Sequence, residues 1–325
     1  MTVKRYAAAM VDAIVSRMHS DPHMAMIGSA YLLGPSANHP ALNEVREKYA
    51  DRIIDEPPIA ESSVASTAIG AAMSGCRTLA HFGLAAFSME AWSQMVNEAG
   101  VVHYQTGGKT RVPAVFTMMH GMMPVENSQH SRSHYAGLAN CPGLQIVLAS
   151  TPYDIKGLMT TALHDDNPTV VMNHPMVMPT EGEVPDGDYT IPFGQADIKR
   201  SGNDVTIVAT SHKVHVALAA AESLADDGVS AEVIDPRTIV PLDREAILNS
   251  VGKTGRLVVV DDAPQTCGFA AEVAAFVVEQ AFDSLKAPIV RLTLPDVPVP
   301  RSSQAQTSFR LTPERVVDAV ASMLH

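Results

Sequence analysis

Asp51-Arg-Ile-Ile-Asp-Glu-Pro-Pro-Ile-Ala-Glu-Ser-Ser-Val-Ala-Ser-Thr-Ala-Ile-Gly-Ala-Ala-Met73 is the stretch on which the reading of this chain turns. Pro57 and Pro58 carry no backbone donor and hold the chain extended up to Ile59. From Glu61 onward the residues are small and helix-tolerant. Ala65, Ala68, Ile69, Ala71, Ala72 and Met73 make a face able to pack very close to another element. Glu61 falls at the junction, in the first helical turn, where the dipole favours negative charge. Taken alone, that is the ordinary place for a surface acid. What surrounds the stretch decides whether it is more.

Upstream, residues 6–19 put Met10, Ile14, Val15 and Met18 on one helical face, and 24–27 reads as a short buried strand. Residues 34–40, Gly-Pro-Ser-Ala-Asn-His-Pro, read as a loop, and 53–54 as a strand leading into the Glu61 helix. Downstream come a strand over 77–82, a helix over 88–102 carrying Trp92, Met95 and Val96, and a turn at Gly107-Gly108. Strands over 112–118, 144–149 and 169–172 follow, with a helix from Thr151-Pro152 to His164. Each apolar strand is separated from the next by a helix-length crossover, which predicts a parallel α/β unit. Residues 175–200 are rich in Pro, Gly, Glu and Asp and read as a linker with one hairpin. A second α/β unit is predicted beyond it, with strands over 205–209, 231–234, 257–260 and 289–292 and helices over 213–226, 244–251, 268–283 and 312–324. The predicted fold class is α/β in two domains, 1–178 and 201–325, joined by a linker at 179–200. Each domain is a mainly parallel sheet flanked by helices.

The 325-residue length allows two such domains. The hydrophobic fraction is 46% and the charged fraction 18%, a globular balance. No apolar run approaches a membrane span and the amino terminus lacks an apolar signal core, so a cytoplasmic location is expected. The net charge of −12 argues against a nucleic-acid or anionic-membrane partner. Cys76, Cys141 and Cys267 are widely spaced and fit reduced thiols better than a disulfide frame or zinc site.

Several chemistries are excluded by what is missing. There is no G-x-G-x-x-G after the first strand. The spacing from Gly70 to Gly75 is that of a phosphate loop, yet Cys76-Arg77 follows without the Lys-Ser/Thr that holds phosphate and magnesium. No G-x-S-x-G elbow exists for an α/β hydrolase. His130 and His134 stand four apart without a Glu between them as in H-E-x-x-H, which favours structural or surface histidines over a metal pair.

A set of blocks remains that does form a pattern. These are 54–61 (Ile-Asp-Glu-Pro-Pro-Ile-Ala-Glu), 104–113 (Tyr-Gln-Thr-Gly-Gly-Lys-Thr-Arg-Val-Pro), Gln129-His-Ser131, Cys141-Pro-Gly-Leu-Gln-Ile-Val147, 150–157 and His164-Asp-Asp-Asn-Pro168. In the second half they are 183–192, 231–238 (Ala-Glu-Val-Ile-Asp-Pro-Arg-Thr), Pro241-Leu-Asp243 and 253–262 (Lys-Thr-Gly-Arg-Leu-Val-Val-Val-Asp-Asp). In order and spacing they resemble the β subunit of the thiamine-diphosphate-dependent 2-oxo acid dehydrogenase and acetoin dehydrogenase family. The resemblance spans nearly the whole chain. It implies a transketolase-like pyrimidine-binding domain followed by a transketolase C-terminal domain.

It also implies roles. Glu61 would donate a hydrogen bond to a ring nitrogen of the cofactor's aminopyrimidine, with Ile59 and Val64 keeping it dry. Phe87 would pack on the pyrimidine ring, though an ordinary core phenylalanine would look the same. His130 would guide the substrate or the departing acyl group by giving or taking a proton. Ala114, Ala162, Leu163, Asp165 and Asn167 match a potassium-binding turn of some relatives; a plain helix C-terminal turn is the alternative. The family's G-D-G and N-N elements, which hold diphosphate and magnesium, are absent. A separate α subunit would therefore supply them, in an α2β2 heterotetramer with the cofactor at each α/β interface.

Departures from the family bear on the substrate. Thr117-Met-Met-His-Gly-Met-Met-Pro-Val-Glu-Asn127 replaces an arginine and a glycine-rich loop, and its methionines would form either an adaptable substrate wall or loop packing. His81-Phe-Gly-Leu-Ala-Ala86 departs from an acidic and aromatic pattern, which puts pyruvate in doubt. Pro300-Arg-Ser-Ser-Gln-Ala-Gln-Thr-Ser308 replaces a more acidic tail, which bears on docking to a lipoyl acyltransferase core. The leading expectation is a dehydrogenase component that cleaves a 2-oxo acid or acetoin-like ketone and passes the fragment to lipoamide. The alternatives are a split transketolase subunit and a non-catalytic assembly partner.

Overall fold

The computed structural model describes residues 1–28, 39–122 and 128–324. They divide into two compact units, Met1–His120 with Gly137–Phe193, and Gly121–Ala136 with Gly194–His325. The expected division at 178 and 201 follows the chain; in space, Gly121–Ala136 cluster with residues from Gly194 onward.

In the first unit the elements run β1 (Thr2–Arg5), α1 (Tyr6–Ser20), β2 (Met24–Ile27), α2 (Pro40–Lys48), β3 (Ile53–Ile54), α3 (Glu61–Met73), β4 (Arg77–Leu84), α4 (Val102–Gln105) and β5 (Ala114–Met119). The short helix α5 (Tyr135–Ala139) precedes β6 (Gln145–Val147), α6 (Pro152–His164), β7 (Thr169–Asn173) and β8 (Glu181–Val184). The main sheet has the order β6-β7-β5-β4-β2-β3, and every pairing in it is parallel. Such a sheet must be covered on both faces, so its strands read as continuous apolar runs. On one face Met10, Ile14 and Met18 of α1 meet Leu158 and Met159 of α6 over Leu79, Val115 and Val171. On the other, α3 lies against β4, where the Thr78 hydroxyl donates to the Ala68 carbonyl at 3.2 Å. Thr151 caps α6 by accepting the Asp154 N–H, and Pro152 opens the helix where its missing donor costs nothing.

The predicted helix over 88–102 is not one α-helix. Residues Ala85–Ala91 form a 3-10 segment, Trp92 and Ser93 are α-helical, Gln94–Ala99 make a π-helical turn, and Val102–Gln105 a short α-helix. Ala91, Met95 and Ala99 still share one buried face, which is the periodicity the sequence displays. The extra residue in the π turn lets the Gly100 N–H reach the Met95 carbonyl and sets Gly100 against Gly143, where a β-carbon would lie 1.8 Å from its oxygen.

The second unit contains β9 (Asp197–Arg200), β10 (Val205–Ala209), α7 (His212–Asp226), β11 (Ala231–Asp235), β12 (Thr238–Val240), α8 (Arg244–Thr254), β13 (Leu257–Pro264), α9 (Phe269–Ala281), β14 (Val290–Leu294), α10 (Ser303–Thr307) and α11 (Pro313–Leu324). Its sheet has the order β14-β13-β10-β11-β9, parallel except for β9. Helices α7 and α11 cover one face through Val214, Ala217, Val316 and Val320. The predicted hairpin within 175–200 is absent, because β8 pairs antiparallel with β1 and β9 with β11. No described helix is long and apolar enough to cross a membrane.

Candidate functional site

In the first unit the chain passes from β2 out to β3 and returns to β4 on the far side of β2. Ligands of open parallel sheets bind at the carboxyl ends of the strands where the order reverses in this way. There the structure has a cavity of about 190 Å³, lined by the Pro57–Glu61 approach to α3, by Val64, by His81, Phe82 and Gly83 of β4, and by Phe87. Local chemistry builds it. The two prolines hold the chain off the sheet edge, α3 begins at Glu61 with no side-chain cap from Ala60, and Gly83 turns the end of β4 at φ +70°, a conformation open to glycine.

The wall is mostly apolar. Val64 and Phe82 are buried, and the Phe82 ring stacks on Phe116 with centroids 5.5 Å apart. Glu61 and Phe87 are half-buried. Among the described residues no side chain donates to the Glu61 carboxylate. Ile59 and Val64 behave differently from one another: Val64 is 7% exposed, whereas Ile59 is 90% exposed and leaves that side of the pocket open. A flat heterocycle with one polar edge fits such a slot, with Phe87 for its face and Glu61 for its edge.

Residues 3–179 match the transketolase pyrimidine binding domain family, and 194–316 the transketolase C-terminal domain family. The β subunit of the acetoin:2,6-dichlorophenolindophenol oxidoreductase of Bacillus subtilis (strain 168) is 36% identical over 328 residues, 97% of this chain and 96% of the relative. That of Cupriavidus necator is 40% identical over 303 residues, covering 90% and 89%. The 2-oxoisovalerate dehydrogenase subunit beta of Bacillus subtilis is 36% identical over 326 residues, with 99% of each chain covered. The chain belongs to the β-subunit family of the 2-oxo acid and acetoin dehydrogenases. A split-gene transketolase solved as an inactive β4 tetramer shares its fold, with a TM-score of 0.80 at 21% identity over 98% of this chain and 97% of that one.

For a β-type chain of this family the pocket gathers Glu61, Ile59 and Phe87, three of the residues the sequence singles out. His130 does not line it; it is half-buried within Gly121–Ala136, a segment of the second unit. Of the methionine-rich segment, Met118 is a fully buried residue of β5, while 123–127 lie outside the described residues, as do 34–38 of the predicted loop 34–40. His81 lines the pocket as well. Its signal in the sequence is a lone imidazole inside the apolar strand Leu79-Ala80-His81-Phe82.

The residues matched to a potassium turn form a capped helix end. Asp165 Oδ1 accepts from the Asn167 N–H and from its Nδ2, both at 2.7 Å, and the Arg77 guanidinium donates to the Asp165 carbonyl. Ala114, Ala162 and Leu163 are buried. With a guanidinium already on that carbonyl and the side chains spent on each other, the turn as it stands does not fit a cation. Among the described residues no group of three His, Cys, Asp or Glu could hold a metal.

The second unit has a larger cavity of about 350 Å³, lined by Ser131, Ser133, His134 and Asp262 among others. Size does not decide between the two, because the Glu61 pocket combines an unpartnered acid with a ring-sized apolar slot. Behind the larger one, Tyr135 is fully buried and donates to Asp261, which also accepts from Thr210 at 3.2 Å. Burial raises the Asp261 carboxyl to about 6, with the charge of Asp262 adding to it against the Tyr135 and Thr210 hydrogen bonds. Burial, then the Arg132 charge, lowers His134. Asp262 is neutralised by Lys213 at 3.1 Å.

Proposed function

We propose that this chain is the β component of a thiamine-diphosphate-dependent dehydrogenase that cleaves a 2-oxo acid or an acetoin-like hydroxyketone and passes the fragment to lipoamide. The observation that carries this reading is the meeting of Glu61 and Phe87 in one apolar slot beside the switch point of the sheet. When bound, the cofactor supplies the carbon nucleophile and the electron sink. Glu61 holds a proton at a carboxyl oxygen and donates it to a ring nitrogen of the aminopyrimidine. Phe87 fixes the plane of that ring, and Val64 and Phe82 keep water from its edge. His130 exchanges a proton with the substrate or the outgoing fragment.

Diphosphate and magnesium belong in this reading to an α subunit, since the chain has neither a G-D-G nor an N-N element, and the assembly is α2β2. Ile59 on the open rim and the exposed small side chains Ser63, Ser66, Thr67 and Gly70 along α3 are what such a partner would cover. No step is assigned to potassium, and docking of a lipoyl acyltransferase core is left to the whole assembly. The substrate stays at class level because similar chains are named for acetoin, 2-oxoisovalerate and pyruvate.

The test is turnover of the co-purified α/β complex with and without thiamine diphosphate, for wild type and Glu61→Gln. Loss of a positioned proton donor lowers turnover about 100-fold or more. A Glu61→Gln complex that turns over like wild type overturns the assignment.

A further inference from the structure

The cavity of the second unit takes no part in the chemistry assigned to Glu61, and its position follows from the sheet. The chain leaves β10 for β11 on one side and later reaches β13 on the other, so the strand order reverses between β10 and β13. Ligands of open parallel sheets bind at the carboxyl ends of such strands. Tyr135 fills the crevice itself. It is fully buried and donates to Asp261 near the end of β13, which also accepts from Thr210 just beyond β10. The open space lies on the β14 side, a cavity of about 350 Å³ whose wall includes Arg132, His134, Asp262, Leu294, Val297 and Val299.

Two carboxylates and two bases line this space, and the carboxylates are already engaged. Asp262 faces Lys213 at 3.1 Å. Asp296 accepts the Thr266 N–H at 3.0 Å and the Thr266 hydroxyl at 2.6 Å. The bases are not engaged. Among the described residues no carboxylate pairs with the exposed Arg132 guanidinium, and His134 Nε2 is buried without a hydrogen-bond partner. Burial, with the Arg132 charge, holds the imidazole below its ordinary value, so at neutral pH it is uncharged and can present Nε2–H. A cation and a ring N–H that the chain leaves unmatched thus line one cavity. The group that satisfies both is a carboxylate, which accepts a guanidinium fork and a further N–H.

The rest of the wall is apolar and stiff. Pro295 and Pro298 restrict the chain that follows β14. That loop is tied at one end by Asp296 to Thr266 and at the other by the Ser128 hydroxyl on the Val299 carbonyl at 2.6 Å. Between these ties Val297 is 56% exposed, while Leu294 and Val299 are buried. A wall fixed in advance loses little entropy when a ligand settles on it. We propose that this cavity is a binding site for a short-chain aliphatic monocarboxylate, its carboxylate on Arg132 and His134 and its chain along Leu294, Val297 and Val299. The volume stands at the lower end of the roughly 300–1,000 Å³ of ligand pockets, which limits the chain to a few carbons and leaves no room for a nucleotide. Inorganic anions have no body for the apolar wall, and uncharged hydrocarbons leave Arg132 and His134 unmatched. Saturated short-chain acids and 2-oxo acids share the required chemistry.

The experiment titrates valerate into the full chain at neutral pH by calorimetry, and by NMR of carbon-13-labelled histidines with His134→Phe assigning the resonance. Saturable binding is expected with a dissociation constant of about 1 mM or tighter, and the His134 signal moves with it. Valeramide, which has the same shape without the charge, binds about 10-fold more weakly or worse. From acetate to valerate each added methylene tightens binding about 3- to 4-fold. Arg132→Gln, at an exposed side chain, weakens valerate about 10-fold or more. His134→Phe keeps a ring, removes the nitrogen and weakens it comparably; should that variant fail to fold, Arg132→Gln carries the test alone. No saturation by about 10 mM, equal binding of acid and amide, or an affinity unmoved by Arg132→Gln overturns the proposal. Titrating 2-oxovalerate beside valerate names the source: tighter binding of either upholds the site and assigns it to an oxo acid or to a saturated acid. Binding is read without turnover, so neither result bears on the Glu61 assignment.

Discussion

Asp261 is a carboxyl whose burial makes stability depend on pH. Its carboxyl is raised from 3.8 to about 6 by burial, so between those values the folded chain keeps a proton that the unfolded chain has released. Its stabilisation is fully present below about pH 4 and is lost as pH rises through about 6. Two units correspond to about 3 kcal/mol. Asp261→Asn keeps an acceptor for Tyr135 and Thr210 but does not titrate. Urea unfolding should therefore show wild type losing about 3 kcal/mol more than the variant between about pH 4 and 7; parallel pH dependences would contradict this. Phe87→Ala tests a different quantity. Losing one ring stack weakens cofactor binding to the complex by roughly 3- to 10-fold, the equivalent of about 0.5–1.5 kcal/mol, measurable by calorimetry. At this scale two prolines and a helix start marked where Glu61 sits, but that frame is also the one of an ordinary surface acid, and its expected role came from the resemblance alone. His81 carried no such mark, because a histidine in an apolar strand reads the same whether it faces a pocket or a satisfied core.

Elements carry a different kind of information. The strands of both parallel sheets could be read as apolar runs because they are covered on both faces; β10, for example, is buried at every residue. Strands β1 and β9 could not, since their exposure patterns are those of half-open edges, and the partner of β1 lies near residue 184. The 85–99 segment kept a helical apolar face while changing its hydrogen bonding, and no period in the sequence separates a π turn from an α turn. Its geometry predicts sharp intolerance at Gly143, which sits at φ +102° with a would-be β-carbon 1.8 Å from the Gly100 oxygen. Gly143→Ala should cost about 4 kcal/mol or more, the range reserved for backbone clashes and lost cores. The N-cap of α6 is an ordinary element end by comparison. There Thr151→Ala should cost about 1 kcal/mol. Thermal midpoints of the two variants should differ accordingly, and equal shifts would refute the argument from Gly100.

For the whole molecule, what the sequence could not convey is pairing at long range. The segment Gly121–Ala136 is held within the second unit by Tyr135 on Asp261, 126 positions away, and by the Ser128 hydroxyl on the Val299 carbonyl at 2.6 Å. Neither pairing has a local signature. The same scale decides what the Glu61 pocket still needs. Ile59 has no packing role in the free chain, since 90% of it is exposed, so Ile59→Ser should leave the thermal midpoint of the isolated chain within the ±0.5 kcal/mol typical of surface changes. If an α subunit covers that rim, the same isoleucine is buried on assembly, and burying an Ile side chain is worth about 1.5–3 kcal/mol. Ile59→Ser should then raise the dissociation constant of the α/β complex roughly 10- to 100-fold, measured by sedimentation. Thiamine diphosphate binding at a fixed subunit concentration should fall in parallel, because a slot open to water on the Ile59 side holds only the ring. An Ile59→Ser chain that associates like wild type, or a free β chain that binds the cofactor at micromolar concentration, would mean that the pocket is complete without a partner.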